Sequence, residues 1–132
     1  IPLNKRLCIL EPDNSPYVNP AWLMERVDAM PSLPDAFICA NDFLAVPLMQ
    51  VLRQKNLKIP DDIMIAGFDG SIQSVIVDPP LTTVKIPSRE MGYYAAGMLL
   101  ERIESPDLPF RFTTVQTTPV WTRSIREPAR ND

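Results

Sequence analysis

The chain has 132 residues, 45% of them apolar and 22% charged, which suits one globular domain with a moderate core and not a disordered segment. Its net charge of −3 argues against a domain-wide grip on nucleic acid, because phosphate binding needs a concentrated positive face. The complete lack of histidine excludes a Ser-His-Asp triad, a Cys-His pair and histidine-bound zinc within this chain.

Three short apolar runs, "LCIL" (7–10), "AFICA" (36–40) and "IMIAGF" (63–68), read as strands. Each lacks polar alternation, as a strand buried on both faces of a parallel sheet does. Between the first two, Trp22, Leu23, Val27 and Met30 recur at helical spacing, so a helix is expected from about Pro20 to Met30. Asn19 suits its N-cap and Pro20 its first position. A second helix is expected from about Asp42 to Lys55, with the stripe Leu44, Leu48, Val51 and Leu52. Lys55 complements its negative end, and Asn56 can adopt the left-handed conformation that stops it. Pro47 removes one backbone bond inside this helix. Residues 3 to 68 therefore read as β-α-β-α-β, the pattern of an α/β fold with an open parallel sheet and flanking helices.

"SIQSVIV" reads as a short helix or turn ended by Pro79-Pro80, and "LTTVKI" (81–86) as a strand. Ser88 can cap a helix to about Glu104 with the buried stripe Met91, Tyr94, Ala95, Met98, Leu99 and Ile103. Gly92, Ala96 and Gly97 would permit close backbone approach there. "FRFTTVQTT" and "VWTRSI" read as extended segments split by Pro119. Arg123, Arg126 and Arg130 form the only basic cluster and read as a solvated, mobile tail. The 15 prolines are scattered and read as loop punctuation. Cys8 and Cys39 sit in apolar runs and read as small buried hydrophobes in a reducing, cytosolic setting, not as a disulfide framework. No apolar run approaches the ~18 residues of a membrane-spanning helix, and no secretory signal opens the chain. The chain starts at Ile1 without a Met, which reads as a piece of something longer.

Open α/β sheets bind ligands beyond the carboxyl ends of their strands. Three polar clusters fall there: Glu11, Asp13, Asn14 and Tyr17 after the first strand, Asn41 and Asp42 after the second, and Asp69 after the third. Carboxylates and amides suit a hydroxyl-rich ligand such as a sugar, and an aromatic such as Tyr17 suits the apolar face of a sugar ring. Each residue also has a plain structural reading. Asn41 or Asp42 is the natural N-cap of the second helix. Asp69-Gly70 makes an ordinary turn. The loop 13–16 is a natural solvated loop, and Tyr17 a natural rim residue. Asp13, Asp42 and Asp69 could also form the paired carboxylates of a glycosidase, but nothing in the sequence marks one as a raised-pKa acid. No cofactor, metal site or phosphate-binding glycine loop is expected.

Four motifs occur in order: "PDAFICANDFLA" (34–45), "LKIPDDIMIAGFDG" (57–70), "PPLTTVKIP" (79–87) and "MGYYAAGMLLERI" (91–103). The ordered set, rather than any one motif, resembles the effector-binding region of LacI/GalR-family transcriptional regulators over residues 34 to 104. The resemblance implies a periplasmic-binding-protein-like, Rossmann-like lobe that is incomplete here. Residues 1–87 would be the C-terminal lobe, 88–118 a segment that returns to the N-terminal lobe, and 119–132 the closing strand and tail. It implies a small, sugar-like effector held between lobes by Asn41 and Asp69, with Tyr17 as the packing aromatic. It also implies a homodimer, and operator DNA bound through a headpiece that this sequence does not contain. A helix 88–104 deprived of the other lobe would leave its stripe uncovered. The pattern departs from the family at Gly70, where a second Asp is common; at Pro47, near a usual Gly; and at Thr122-Arg123-Ser124, where Arg-x-Ser is common. A solute-binding protein of sugar transport would share the sheet and Asp69, and a signal peptide upstream would mark it.

Overall fold

The computed structural model describes residues 5–10 and 15–127. Glu11, Asp13, Asn14 and Arg130 therefore lie outside the described residues.

The first helix, α1 (Pro20–Asp28), begins as its sequence demands. Asn19 Oδ1 accepts from the amides of Ala21 (3.0 Å) and Trp22 (3.3 Å), and Pro20 takes the first position, where no amide is needed. Leu23 and Val27 are buried, with Trp22 and Met30 packed beside them. The second helix, α2 (Asp42–Gln54), is the hub of the core. Ala45, Met49, Val51 and Leu52 are fully enclosed, and each large side chain among them contributes roughly 2 kcal/mol of burial. The helix runs unbroken through Pro47. It stops as a Schellman turn: Asn56 takes φ +60°, its amide reaches Arg53 O (2.8 Å), and the Leu57 amide reaches Leu52 O (3.0 Å).

Strand β1 (Ala36–Ile38) pairs in parallel with β2 (Met64–Ala66), placing Phe37 opposite Ile65. A short helix, α3 (Ile72–Ile76), leads through Pro79-Pro80 to β3 (Thr83–Lys85). Parallel bridges Ala66–Thr82 and Asp69–Lys85 join β3 to β2, and β4 (Thr118–Val120) closes β3 antiparallel. The strand order is thus β1-β2-β3-β4. Pro119 sits mid-strand in β4, opposite Val84, so it does not split that segment; an edge strand tolerates its missing amide.

Several expectations need correction. "LCIL" forms no strand: Lys5–Leu7 is a 3-10 turn, and the Cys8 amide bonds back to Lys5 O (3.2 Å) instead of a ladder partner. A cleft of about 680 Å³ separates this segment from β1. β1 is not buried on both faces; Phe37 is covered, whereas Ile38 is 88% exposed. Helix α4 (Ser88–Glu104) starts with Ser88 inside the helix and Pro87 at the cap position, with no side-chain cap bond. It buries no residue: Met91, Tyr94, Ala95, Leu99 and Ile103 are exposed and Met98 half-buried. A Cβ on Gly92 or Gly97 would meet nothing within 4 Å, so no backbone approaches them. "FRFTTVQTT" lacks regular structure until Thr118. The described part of the C-terminal segment, to residue 127, is anchored to the fold. Ser124 is fully buried; its hydroxyl donates to Ile65 O (2.7 Å) and accepts from the Thr82 amide (2.8 Å). Arg123 lies 3.6 Å from Asp78, and Arg126 reaches Asp61 O (3.4 Å).

Candidate site at the carboxyl end of the sheet

The loops after β1 and β2 meet directly. The Asp42 amide donates to Phe68 O (2.8 Å), and the Cys39 amide to Ala66 O (2.8 Å). Two of the three expected polar clusters therefore share one edge, while most of the third lies outside the described residues.

Asn41 is the N-cap of α2. Its backbone is extended and its Oδ1 accepts from the Leu44 amide (2.9 Å). That bond fixes which end of the amide faces away, leaving Nδ2 without a protein partner among the described residues. Asp42 is not the cap. It occupies the first helical position, is fully buried, and has both oxygens engaged: Oδ1 accepts from the Thr83 hydroxyl (2.6 Å) and Oδ2 from the Ser71 amide (2.7 Å). A carboxylate so enclosed is unavailable to a substrate, so the glycosidase pairing through Asp42 fails. Gly67 exists for its sake: a Cβ there would collide with Asp42 Oδ1.

Asp69 contrasts with it. It is exposed, and its carboxylate makes no hydrogen bond or ion pair among the described residues. Its φ is +106°, a region that non-glycine residues rarely occupy, at a cost of about 1–3 kcal/mol. Ladder bonds hold it there: its amide donates to Val84 O (3.0 Å) and its carbonyl accepts from Ile86 N (3.3 Å). Gly70 follows at φ +68°, with space for a Cβ only 2.8 Å from Lys85 Cα, which explains why no second Asp can stand there without moving β3.

Tyr17 lies in a 3-10 turn (Ser15–Val18). Its hydroxyl donates to Ile9 O (3.3 Å), and its ring meets Trp22 edge-on at 5.3 Å. It lines the cleft beside β1 together with Cys39 and Ala40. Phe68, next to Asp69, lines a second groove of about 480 Å³ with Ile86, Met91 and Tyr94. Cys8 and Cys39 form no disulfide. Burial, and then the Asp42 charge, push the Cys39 thiol up to about 12.

The sequence reasoning passed over Thr83, Ser71 and Ser124 as polar links. Thr and Ser within "LTTVKI" and "TRSI" carry strand propensity and nothing that distinguishes a buried hydroxyl from an exposed one. Among the described residues no cluster of three or more His, Cys, Asp or Glu side chains could hold a metal ion. No helix there is long and apolar enough to cross a membrane.

A family model described as "periplasmic binding protein-like domain" matches residues 3–125. The chain belongs to that family. It is similar to the arabinose metabolism transcriptional repressor of Geobacillus stearothermophilus, 48% identical over 71 residues, 54% of this chain and 20% of the relative. It is also similar to the HTH-type transcriptional repressor PurR of Vibrio campbellii, 33% identical over 83% of this chain and 37% of the repressor. A LacI family transcriptional regulator from Enterococcus faecium, solved with bound ribose, superposes with a TM-score of 0.71 at 25% identity, covering 83% of this chain and 40% of that one. The periplasmic-binding-protein-like chain thus spans well under half the length of the proteins it matches, and the resemblance to LacI-type effector domains stands on both sequence and fold.

Proposed function

We propose that this chain is the effector-sensing part of a LacI-type transcriptional regulator, taking a small sugar-like ligand against Asn41 and Asp69. The observation that carries the reading is a carboxylate and an amide nitrogen, both without a partner among the described residues, on adjoining loops at the sheet's carboxyl end. Asp69 accepts from sugar hydroxyls and Asn41 Nδ2 donates to a ring or hydroxyl oxygen. The printed names of relatives, an arabinose repressor and a ribose-bound regulator, support that ligand class. Tyr17, in the cleft beside Cys39 and Ala40, and Phe68, next to Asp69, offer an apolar wall.

In this reading residues 1–87 form part of one lobe, 88–118 pass toward another, and 119–132 close the sheet. The complete protein is a cytoplasmic homodimer without catalytic activity, binding operator DNA through a separate headpiece. Effector binding favours one arrangement of lobes, and that difference in affinity shifts the population competent for DNA. A solute-binding protein of sugar transport would use the same edge; the transcriptional repressors among the relatives favour the regulator. Calorimetric titration of the complete protein with a monosaccharide and disaccharide panel tests the assignment. Asn41→Ala and Asp69→Ala should each weaken binding about tenfold or more. Parental affinity in both variants would refute it.

A further inference from the structure

We propose that Asp42 and Thr83 are positioning residues of the effector site: they never touch the ligand but hold the 69–71 segment so that the Asp69 carboxylate is presented ready-made. The inference rests on the reading of Asp69 as a ligand group.

Asp69 sits in a backbone conformation that persists only when its surroundings over-determine it. Its own ladder bonds to Val84 and Ile86 fix one side. On the other side, Gly70 and Ser71 have no strand partner in that ladder. Gly70 N donates to Thr83 Oγ1 (3.2 Å), Thr83 Oγ1 donates to Asp42 Oδ1 (2.6 Å), and Ser71 N donates to Asp42 Oδ2 (2.7 Å). The Ser71 hydroxyl adds nothing, since it is buried with no partner, and Ser71 makes no cap bond to α3. The clasp therefore runs from the first turn of α2, through one carboxylate and one hydroxyl, to the two amides after Asp69. Its chemistry is specific. Thr83 Oγ1 must accept and donate at once, which a hydroxyl does and a methyl does not. Asp42 must accept twice, at a helix N-terminus that favours its negative charge. Full burial of Asp42 and Thr83 strengthens both bonds and keeps water from replacing them. Asn41 is the next residue along, so the same clasp sets the spacing between the two proposed ligand groups.

Thr83→Val keeps the shape and removes the hydroxyl; Thr83→Ser restores it. Ser124→Ala is the control, because it deletes buried hydrogen bonds to Ile65 and Thr82 without touching residues 69–71. Amide exchange in the complete protein reads the clasp without any ligand. Exchange at Gly70, whose amide loses its acceptor, should quicken at least tenfold in Thr83→Val, recover in Thr83→Ser and stay parental in Ser124→Ala, with Leu52 protected throughout. Calorimetry against D-ribose, L-arabinose and cellobiose reads the site. Thr83→Val should lose about 10–100-fold in affinity, the range typical of outer partners of binding groups at metal sites, and Thr83→Ser should regain it. If Thr83→Val does not fold, Thr83→Ala replaces it, removing the same hydroxyl and predicted to loosen Gly70 likewise. Parental exchange at Gly70 in whichever variant folds overturns the clasp. A loosened Gly70 amide with parental sugar affinity overturns the positioning role if Asp69→Ala abolishes binding. If Asp69→Ala also binds as the parent does, the effector reading itself has failed.

Discussion

Helices α2 and α4 are both rich in apolar side chains, yet they end in opposite states. α2 buries Ala45, Leu48, Met49, Val51 and Leu52, while α4, four residues longer, buries none. The difference lies in what surrounds each. α2 is held between α1, α3 and β2, and its first turn is tied to β3 through Asp42. α4 faces the irregular 108–115 segment across a groove of about 750 Å³ that Tyr93, Tyr94, Leu100 and Phe112 line, and it meets Phe68 and Ile86 only across a second groove. An apolar stripe states that a face wants cover; it does not supply the cover. Asn41 and the buried Asp42 belong to the first of these regions, while Phe68 faces the groove beside the second.

The contrast can be broken most sharply in the core. Leu52→Ala should cost about 2–5 kcal/mol in urea unfolding, because the enclosed side chain leaves a cavity. Leu99→Ala, on the exposed face of α4, should stay within about 0.5 kcal/mol. Equal losses would mean that α4 is buried in solution. The glycines divide the same way. Gly67→Ala pushes a methyl into Asp42 and should destabilise by about 1–3 kcal/mol. Gly92→Ala has open space and should stabilise α4 by up to about 1 kcal/mol, read as a higher thermal midpoint. The smallest effect concerns Cys39. Its folded pKa lies above the ordinary thiol value, so the proton is held more tightly in the folded state. The matching stability is complete below pH 9 and is lost as pH rises towards 12. At pH 8, iodoacetamide should therefore label native Cys39 much more slowly than the urea-unfolded chain, as followed by intact mass.

Local rules carried the reading where the partner is a few residues away. The Asn19 cap and the Asn56 stop each follow from side-chain chemistry or allowed φ, and each stands where the residues put it, whereas Asp69 extends a parallel ladder with Lys85 instead of making an ordinary turn. The place of Asp69 beyond the carboxyl end of a parallel strand also followed from the apolar run 63–68. Distant pairings were not legible. Nothing near Thr83 reveals that Asp42, 41 positions earlier, accepts its hydrogen bond, nor that Ser124 fills the gap between Ile65 and Thr82. "LCIL" failed for a related reason. Its pattern is that of a strand, but a strand needs a ladder, and the Cys8 amide is committed to Lys5. The stripe of α4 is apolar as its spacing says, and it stands exposed, as expected of that helix without the other lobe.

In the proposed reading Asp69 keeps its carboxylate for a ligand at the expense of its backbone, and Asp69→Gly separates the two. Glycine accepts φ +106° without strain, so the thermal midpoint of the complete protein should hold or rise, by up to about 1 kcal/mol of stability. Calorimetric affinity for a sugar that the unaltered protein binds should fall about tenfold or more with the carboxylate gone. Parental affinity in Asp69→Gly would contradict the account.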